Sequence, residues 1–242
     1  HGEKLSNLKL DYSAAGSRIN GLKASAAASS GAAIAISDSS DSGKRMLDVK
    51  SADAGAILRF LDVYEHMQGG GISLSLSGDA DGPLRGRVTA RDFLIVNEPK
   101  LASIVSTTPA GDSRSLNQAV KGKIDTSQVK FERGFAEIDK GNGYLKLSNG
   151  VLRGPLIGTT FQGTLYDQND NMDMTGTFMP AYGLNRIFGE LPIIGALLGN
   201  GRDRGLIGVT YRLRGNAKKP DLDINPLSVI APGIFRSIFE YR

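Results

Sequence analysis

The stretch Ile72-Ser73-Leu74-Ser75-Leu76-Ser77 constrains this chain more than any other. Apolar and hydroxyl side chains alternate with a period of two, and only an extended strand sends such neighbours to opposite faces. The stretch is a strand with one face on a core and the other in water, as in an antiparallel sheet. Ile207, Val209, Tyr211 and Leu213 repeat the pattern near the other end of the chain. Punctuation between strands is dense. Gly supplies 31 of 242 residues, and pairs such as Asn142-Gly143 and Asn149-Gly150 suit the positive dihedral angles of tight hairpins. The expectation is a mainly β chain, repetitive and antiparallel, with a few short helices.

In chain order, Leu8, Leu10 and Tyr12 alternate within a first strand over residues 4–12, and further short strands are expected at 19–25, 32–37 and 46–49. Residues 24–35 are low in bulk, which fits either a loop or a strand packed closely on its neighbour. Asp53 opens the best helix: its carboxylate suits the free amides of a first turn, and Ile57, Phe60, Leu61 and Tyr64 share one face at helical spacing. Gly69-Gly70-Gly71 is expected to stop it. A long strand follows at 84–96, and Asn97 is expected to cap a second helix with Pro99 near its start and Leu101, Ile104 and Val105 inward. The polar stretch 107–113 divides a strand-rich region with two short helices (1–110) from a β meander ending in amphipathic segments (111–242), unless the two form one continuous domain. Strands of the meander are expected at 129–138, 144–147, 151–156, 160–166 and 172–178.

Composition excludes several kinds of chemistry. There is no Cys, so no disulfide, thiol nucleophile or thiolate metal site exists. Of two histidines, His1 is terminal and His66 is expected in the last turn of the first helix, where a protonated ring would meet the negative helix end. A His-based catalytic triad or a His/Cys metal site cannot be assembled from them. Asp167, Asp170 and Asp173 sit in a hairpin that lacks the Gly and Glu completing a helix–loop–helix calcium site. No catalytic residue, cofactor or metal ligand is assigned, and no run of about 18 apolar residues spans a bilayer. From Arg202 onward eight basic residues face four acidic ones, so this tail accounts for the whole net charge of +4. A solvated basic face and an anionic membrane surface both fit that excess. Nucleic acid is not expected, because the basic residues are not interleaved with stacking aromatics.

The positive signal is apolar. Phe188, Leu191, Ile193, Ile194, Leu197 and Leu198 fall within residues 188–198, interrupted by Pro192 and Gly195. After Pro232, Ile234, Phe235, Ile238 and Phe239 form a second cluster at helical spacing. Around them an order of short motifs stands out: Pro180 with Leu184-Asn185, Leu191-Pro192-Ile193-Ile194-Gly195, residues 205–211, Gly215 with Pro220, Asn225-Pro226-Leu227-Ser228, and Ala231-Pro232-Gly233-Ile234-Phe235-Arg236. This order resembles the C-terminal region of the AsmA-like group of bacterial envelope proteins. The resemblance is sharpest over 130–242 and continues upstream through residues 53–56, Gly69-Gly70, Asp92-Phe93 and Asn97-Glu98-Pro99.

The resemblance implies a curved antiparallel sheet or groove with an apolar concave face that conducts phospholipid between inner and outer membranes, without catalysis. It implies a periplasmic module of a longer protein anchored in the inner membrane by a segment outside this chain. The expected partners are a phospholipid or membrane surface, and an outer-membrane or periplasmic protein. The ten apolar residues named above, from Phe188 to Phe239, are the expected lipid-binding set. An assembly module for outer-membrane proteins is the alternative. Half-apolar strands serve an open groove and a closed sandwich equally, so the alternation alone does not decide between them.

Overall fold

A computed structural model describes residues 2–16, 18–107, 124–180 and 208–227. Among the described residues, twelve strands form a single antiparallel sheet, each paired with its neighbours in sequence. The strands are β1 (Ser6–Ala15), β2 (Arg18–Ala27), β3 (Ala33–Asp41), β4 (Lys44–Ser51), β5 (Met67–Asp79) and β6 (Leu84–Val96). They continue as β7 (Gln128–Gly141), β8 (Tyr144–Arg153), β9 (Ile157–Tyr166), β10 (Asn171–Pro180), β11 (Gly208–Asn216) and β12 (Asp221–Leu227). The ends β1 and β12 do not pair with each other, so the described sheet is open. Pairing of β6 with β7 runs from Leu84↔Lys140 to Val96↔Gln128, which carries the sheet across the polar stretch without a break.

The two ends of the sheet differ. At one end sit the tight turns, such as Ser42-Gly43, where both residues take positive φ (50° and 78°) and make the hairpin twist match the strands. From the opposite end come the longer connections, including both helices. Helix α1 (Ala54–Phe60) links β4 to β5, and α2 (Pro99–Ser106) follows β6. The Asp53 carboxylate caps α1 by accepting from the Ala56 amide at 2.9 Å and from Ser30 Oγ at 2.7 Å, so this buried acid keeps its partners. Gly55 is required where α1 meets β5, since a Cβ there would stand 2.3 Å from the Met67 carbonyl oxygen.

The sheet curls. In a flat sheet at about 4.8 Å per strand, β11 would lie roughly 29 Å from β5. Instead the β11–β12 turn meets the segment after α1, with Lys218 Nζ 3.3 Å from Asp62 Oδ2. Cross-strand glycines permit close packing on the inside of this curl. The ring of Tyr211 lies over Gly176, that of Phe161 over Gly150, and Leu152 over Gly134. The largest core cluster gathers Phe93, Ile95, Val129, Phe131, Phe178, Val209 and Tyr211 beneath Leu101, Ile104 and Val105 of α2 and Ala54 of α1. Phe93 and Phe131 stack at 5.4 Å, and Phe178 meets Tyr211 at 5.3 Å.

Several local expectations are corrected. Helix α1 ends at Phe60, and Gly69-Gly70-Gly71 lies inside β5; positive φ at Gly69 and Gly70 makes an irregularity there, with Gly70 packed under Phe93. The buried face of α1 is Ala54, Gly55 and Ala56, whereas Phe60 and Leu61 are exposed, because the short helix presses its small residues on the sheet. Glu98, not Asn97, caps α2, accepting from the Lys100 amide at 3.0 Å. Asn149-Gly150 is a bulge within β8, not a turn: Asn149 takes φ 51° and its amide donates to Glu137 at 2.7 Å. The turn falls instead at Gly154-Pro155-Leu156. Asn225-Pro226-Leu227 closes β12, an edge strand where proline is tolerated.

Candidate functional site

The strand register assembles the site. Residues paired across neighbouring strands share a face. Following the pairs through the meander gives one row: Tyr12, Leu22, Asp38, Leu47, Leu76, Gly86, Ile138, Leu147, Gly163, Met174, Leu213 and Leu222. It crosses all twelve strands, and Asp38 is its single polar side chain. A parallel row, Leu10, Ala24, Ile36, Val49, Leu74, Val88 and Ala136, is apolar throughout. One residue over, the row Asp11, Lys23, Ser37, Asp48, Ser75, Arg87, Glu137 and Ser148 is polar throughout. The sheet therefore has a largely apolar inner face, interrupted on β3 and β4 by Asp38 and Arg45, and a wet outer one. Among the described residues, a surface depression over β1–β4 is lined by Asp11, Lys23, Asp48 and Lys50 of the wet face together with Ala24 and Ile36 of the apolar row.

Cover over the inner face is uneven. Near the end bearing the helices, α1 and α2 bury it. Toward the tight turns, Leu76, Leu84 and Ile138 pack only with other strand residues, Leu47, Leu74, Val88, Leu145 and Leu147. Toward β1 the face opens: Leu76 is 2% exposed and Leu47 half-buried, while Leu8, Leu10 and Tyr12 are 61, 56 and 72% exposed. The result is an apolar trough with buried central strands and an accessible flank.

Asp38, the polar member of the long row, is held in a forked ion pair by Arg45, with Nε at 2.9 Å and a terminal nitrogen at 2.5 Å. The guanidinium bonds hold the Asp38 carboxyl below its ordinary range, and the same bonds raise Arg45. The pair puts one neutralised polar point beside otherwise apolar rows. Burial pushes the Tyr211 hydroxyl up to about 12, so it stays protonated and shares a long contact with Thr159.

His66 is not in a helix end. It stands before β5 with Nδ1 2.9 Å from the Val96 carbonyl and Nε2 3.9 Å from Glu98. Beside it Tyr64 donates to Glu98 at 2.9 Å, and burial, aided by that carboxylate, drives the Tyr64 hydroxyl strongly upward. Asp167 closes its hairpin by accepting from the amides of Asn169 and Asn171, and Asp173 pairs with Arg212. No group of three metal-ligating side chains occurs among the described residues. Within the basic tail, Arg212, Arg214 and Lys218 each face a carboxylate at the surface (Asp173, Asp223 and Asp62), where exposed pairs add little stability.

The expected lipid-binding residues Phe188, Leu191, Ile193, Ile194, Leu197, Leu198, Ile234, Phe235, Ile238 and Phe239 lie outside the described residues. The described sheet is left at Pro180, rejoined at Gly208 and left again at Leu227, all at the end that bears the helices. The trough floor, and the flank at Leu8, Leu10 and Tyr12, were not singled out by sequence reasoning. The alternation at 8–12, 34–36 and 47–49 was the available signal, and it needed the strand order to become a surface. The chain matches no family model, no curated protein and no solved structure.

Proposed function

We propose that this chain is a non-enzymatic lipid-binding module whose apolar inner face accepts acyl chains, in the manner of the AsmA-like envelope proteins it resembles. The observation that carries the reading is the row from Tyr12 to Leu222, which crosses every strand of the described open sheet with one polar side chain, Asp38 on β3, neutralised by Arg45. A sandwich core of this kind would be covered by a second sheet. Here the described sheet is single, and the floor is accessible along β1. Acyl chains would lie along the floor while headgroups remain at the wet rim. Transfer of acyl chains from water to such a surface is favourable by about 0.8 kcal/mol per buried methylene, so a passive surface holds lipid without chemistry.

In this reading the module works in the periplasm, passing phospholipid between inner and outer membranes, and the segments 188–198 and 230–239 help receive it. An assembly module acting through protein contacts is the second reading. It is favoured by Phe60, Leu61 and Val63, which stand 50, 59 and 47% exposed after α1. Mass spectrometry of organic extracts from the purified protein tests the first reading. Stoichiometric phospholipid supports it, and an empty protein that also fails to take up lipid from vesicles overturns it.

A further inference from the structure

We propose that the Asp38–Arg45 pair is a headgroup site in the trough, selective for a zwitterionic phosphoethanolamine group whose acyl chains lie on the floor beside it. The inference rests on the lipid-binding reading above and adds which headgroup the trough selects. Other cross-strand ion pairs of the described sheet stand on the wet face: Lys44–Asp79, Arg85–Asp139, Arg212–Asp173 and Arg214–Asp223. Asp38 and Arg45 stand on the inner face, where Asp38 is opposite Leu47 and Arg45 lies two residues before it. Their side chains are 24 and 42% exposed. Charges drawn partly out of water beside apolar neighbours add little net stability, so packing does not account for the place of this pair on the floor.

Both charges keep capacity for a ligand. Arg45 donates from Nε to Oδ1 of Asp38 at 2.9 Å and from Nη2 to Oδ2 at 2.5 Å. Its Nη1 has no partner among the described residues, and each Asp38 oxygen keeps room for a further donor. A phosphate oxygen fits Nη1 and an ammonium N–H fits the carboxylate, so a neutral pair meets a neutral headgroup charge for charge. A phosphoglycerol headgroup lacks the ammonium and brings a net negative charge toward Asp38. A trimethylammonium group has the charge but no N–H to donate. The place also fits a headgroup. Arg45 pairs with Ser40, one step from the Asp41↔Lys44 pair that ends the hairpin, so the site lies at the rim beside the Ser42-Gly43 turn. From there Leu47, Leu76 and Leu74 continue the floor inward.

The test loads the protein from vesicles of equal parts phosphatidylethanolamine, phosphatidylcholine and phosphatidylglycerol with identical acyl chains. Mass spectrometry of the re-isolated protein's extract gives the headgroup ratio, total phosphorus gives the uptake, and circular dichroism checks the fold. Wild type should enrich phosphatidylethanolamine about threefold or more over each of the others, the scale of one or two net hydrogen bonds. Asp38→Asn leaves Arg45 unneutralised and should turn the preference toward phosphatidylglycerol. The double variant Asp38→Asn with Arg45→Gln should take up as much lipid as wild type, in the proportions of the vesicles. Normal uptake by wild type without a headgroup preference overturns this inference and leaves the lipid-binding reading standing. So does a preference that survives the double variant. A wild type that takes up no lipid at all overturns the reading and this inference with it. The wild-type comparison needs no variant, so it decides even where a variant fails to fold.

Discussion

The glycines under the aromatic rings allow a sharp comparison, because the same substitution should have opposite consequences at two of them. Gly176 and Gly134 both lie in strand interiors without positive φ, so alanine is conformationally acceptable at each. At Gly176 an added Cβ would meet the Thr160 carbonyl oxygen at 2.2 Å and the Tyr211 hydroxyl at 2.4 Å. One contact is backbone of the adjacent strand and the other is the tip of a buried ring, so neither yields cheaply. Overpacking of this kind costs about 1–3 kcal/mol. Full expulsion of the Tyr211 ring would cost more, up to about 4–6 kcal/mol for an aromatic burying 150–250 Å² at about 25 cal/mol per Å². Alanine returns about 0.5–1 kcal/mol of chain entropy. The net expectation is a loss of roughly 2–4 kcal/mol, or about 5–15 °C in Tm for a chain of this size. At Gly134 the single close contact is Leu152 Cδ2 at 2.9 Å, the end of a flexible side chain. Gly134→Ala should stay within about 1 kcal/mol of wild type, since the entropy gain offsets the adjustment. Thermal melts followed in the far-ultraviolet strand band measure both. Equal losses at the two sites, or a neutral Gly176→Ala, would refute the claim that these glycines set the inner curvature by close approach.

Three further outcomes follow from the packing. Phe131→Ala, which removes a side chain 1% exposed and stacked on Phe93, should cost about 3–5 kcal/mol in a urea titration. Asp53→Ala removes the α1 cap and leaves Ser30 without its carboxylate, so the same titration should show a loss of about 0.5–2 kcal/mol. The Glu3 carboxyl is held below its ordinary value of 4.5 by the Ser29 hydroxyl and amide and then by Arg59. A carboxyl lowered by folding stabilises the fold above its unfolded value, so stability should fall as pH drops below about 4.5 through the lower folded value. Glu3→Gln should lose that stability at neutral pH and flatten the acid limb of the denaturation midpoint against pH.

Local sequence made the strand character, the Asp53 cap of α1 and the inward residues of α2 legible, because each rests on periodicity or on a cap within a few positions. Leu101, Ile104 and Val105 show this: helical spacing alone put them on one face, and all three are buried. What stayed hidden depends on partners distant in the chain. Asn149-Gly150 has the composition of a hairpin turn, and only its pairing with β7 and β9 makes it a bulge. Phe60 and Leu61 have the right spacing for a buried face, but α1 is seven residues long and rests on Ala54, Gly55 and Ala56. The trough itself is a property of register. Leu22, Leu47 and Leu147 become one surface only when hairpin after hairpin lines them up, since a slip of one residue would send each to the wet face.

The central claim is that lipid lies on the inner face and not elsewhere. Photocross-linking residues placed one at a time at Leu47, Leu74 and Val88, and at their outward neighbours Asp48, Ser75 and Arg87, test it directly in protein loaded from phospholipid vesicles. Intact-mass spectra should show phospholipid adducts at the three inner positions and none at the three outer ones. Adducts spread equally over both faces, or their absence from the inner face of folded, vesicle-exposed protein, would contradict the account.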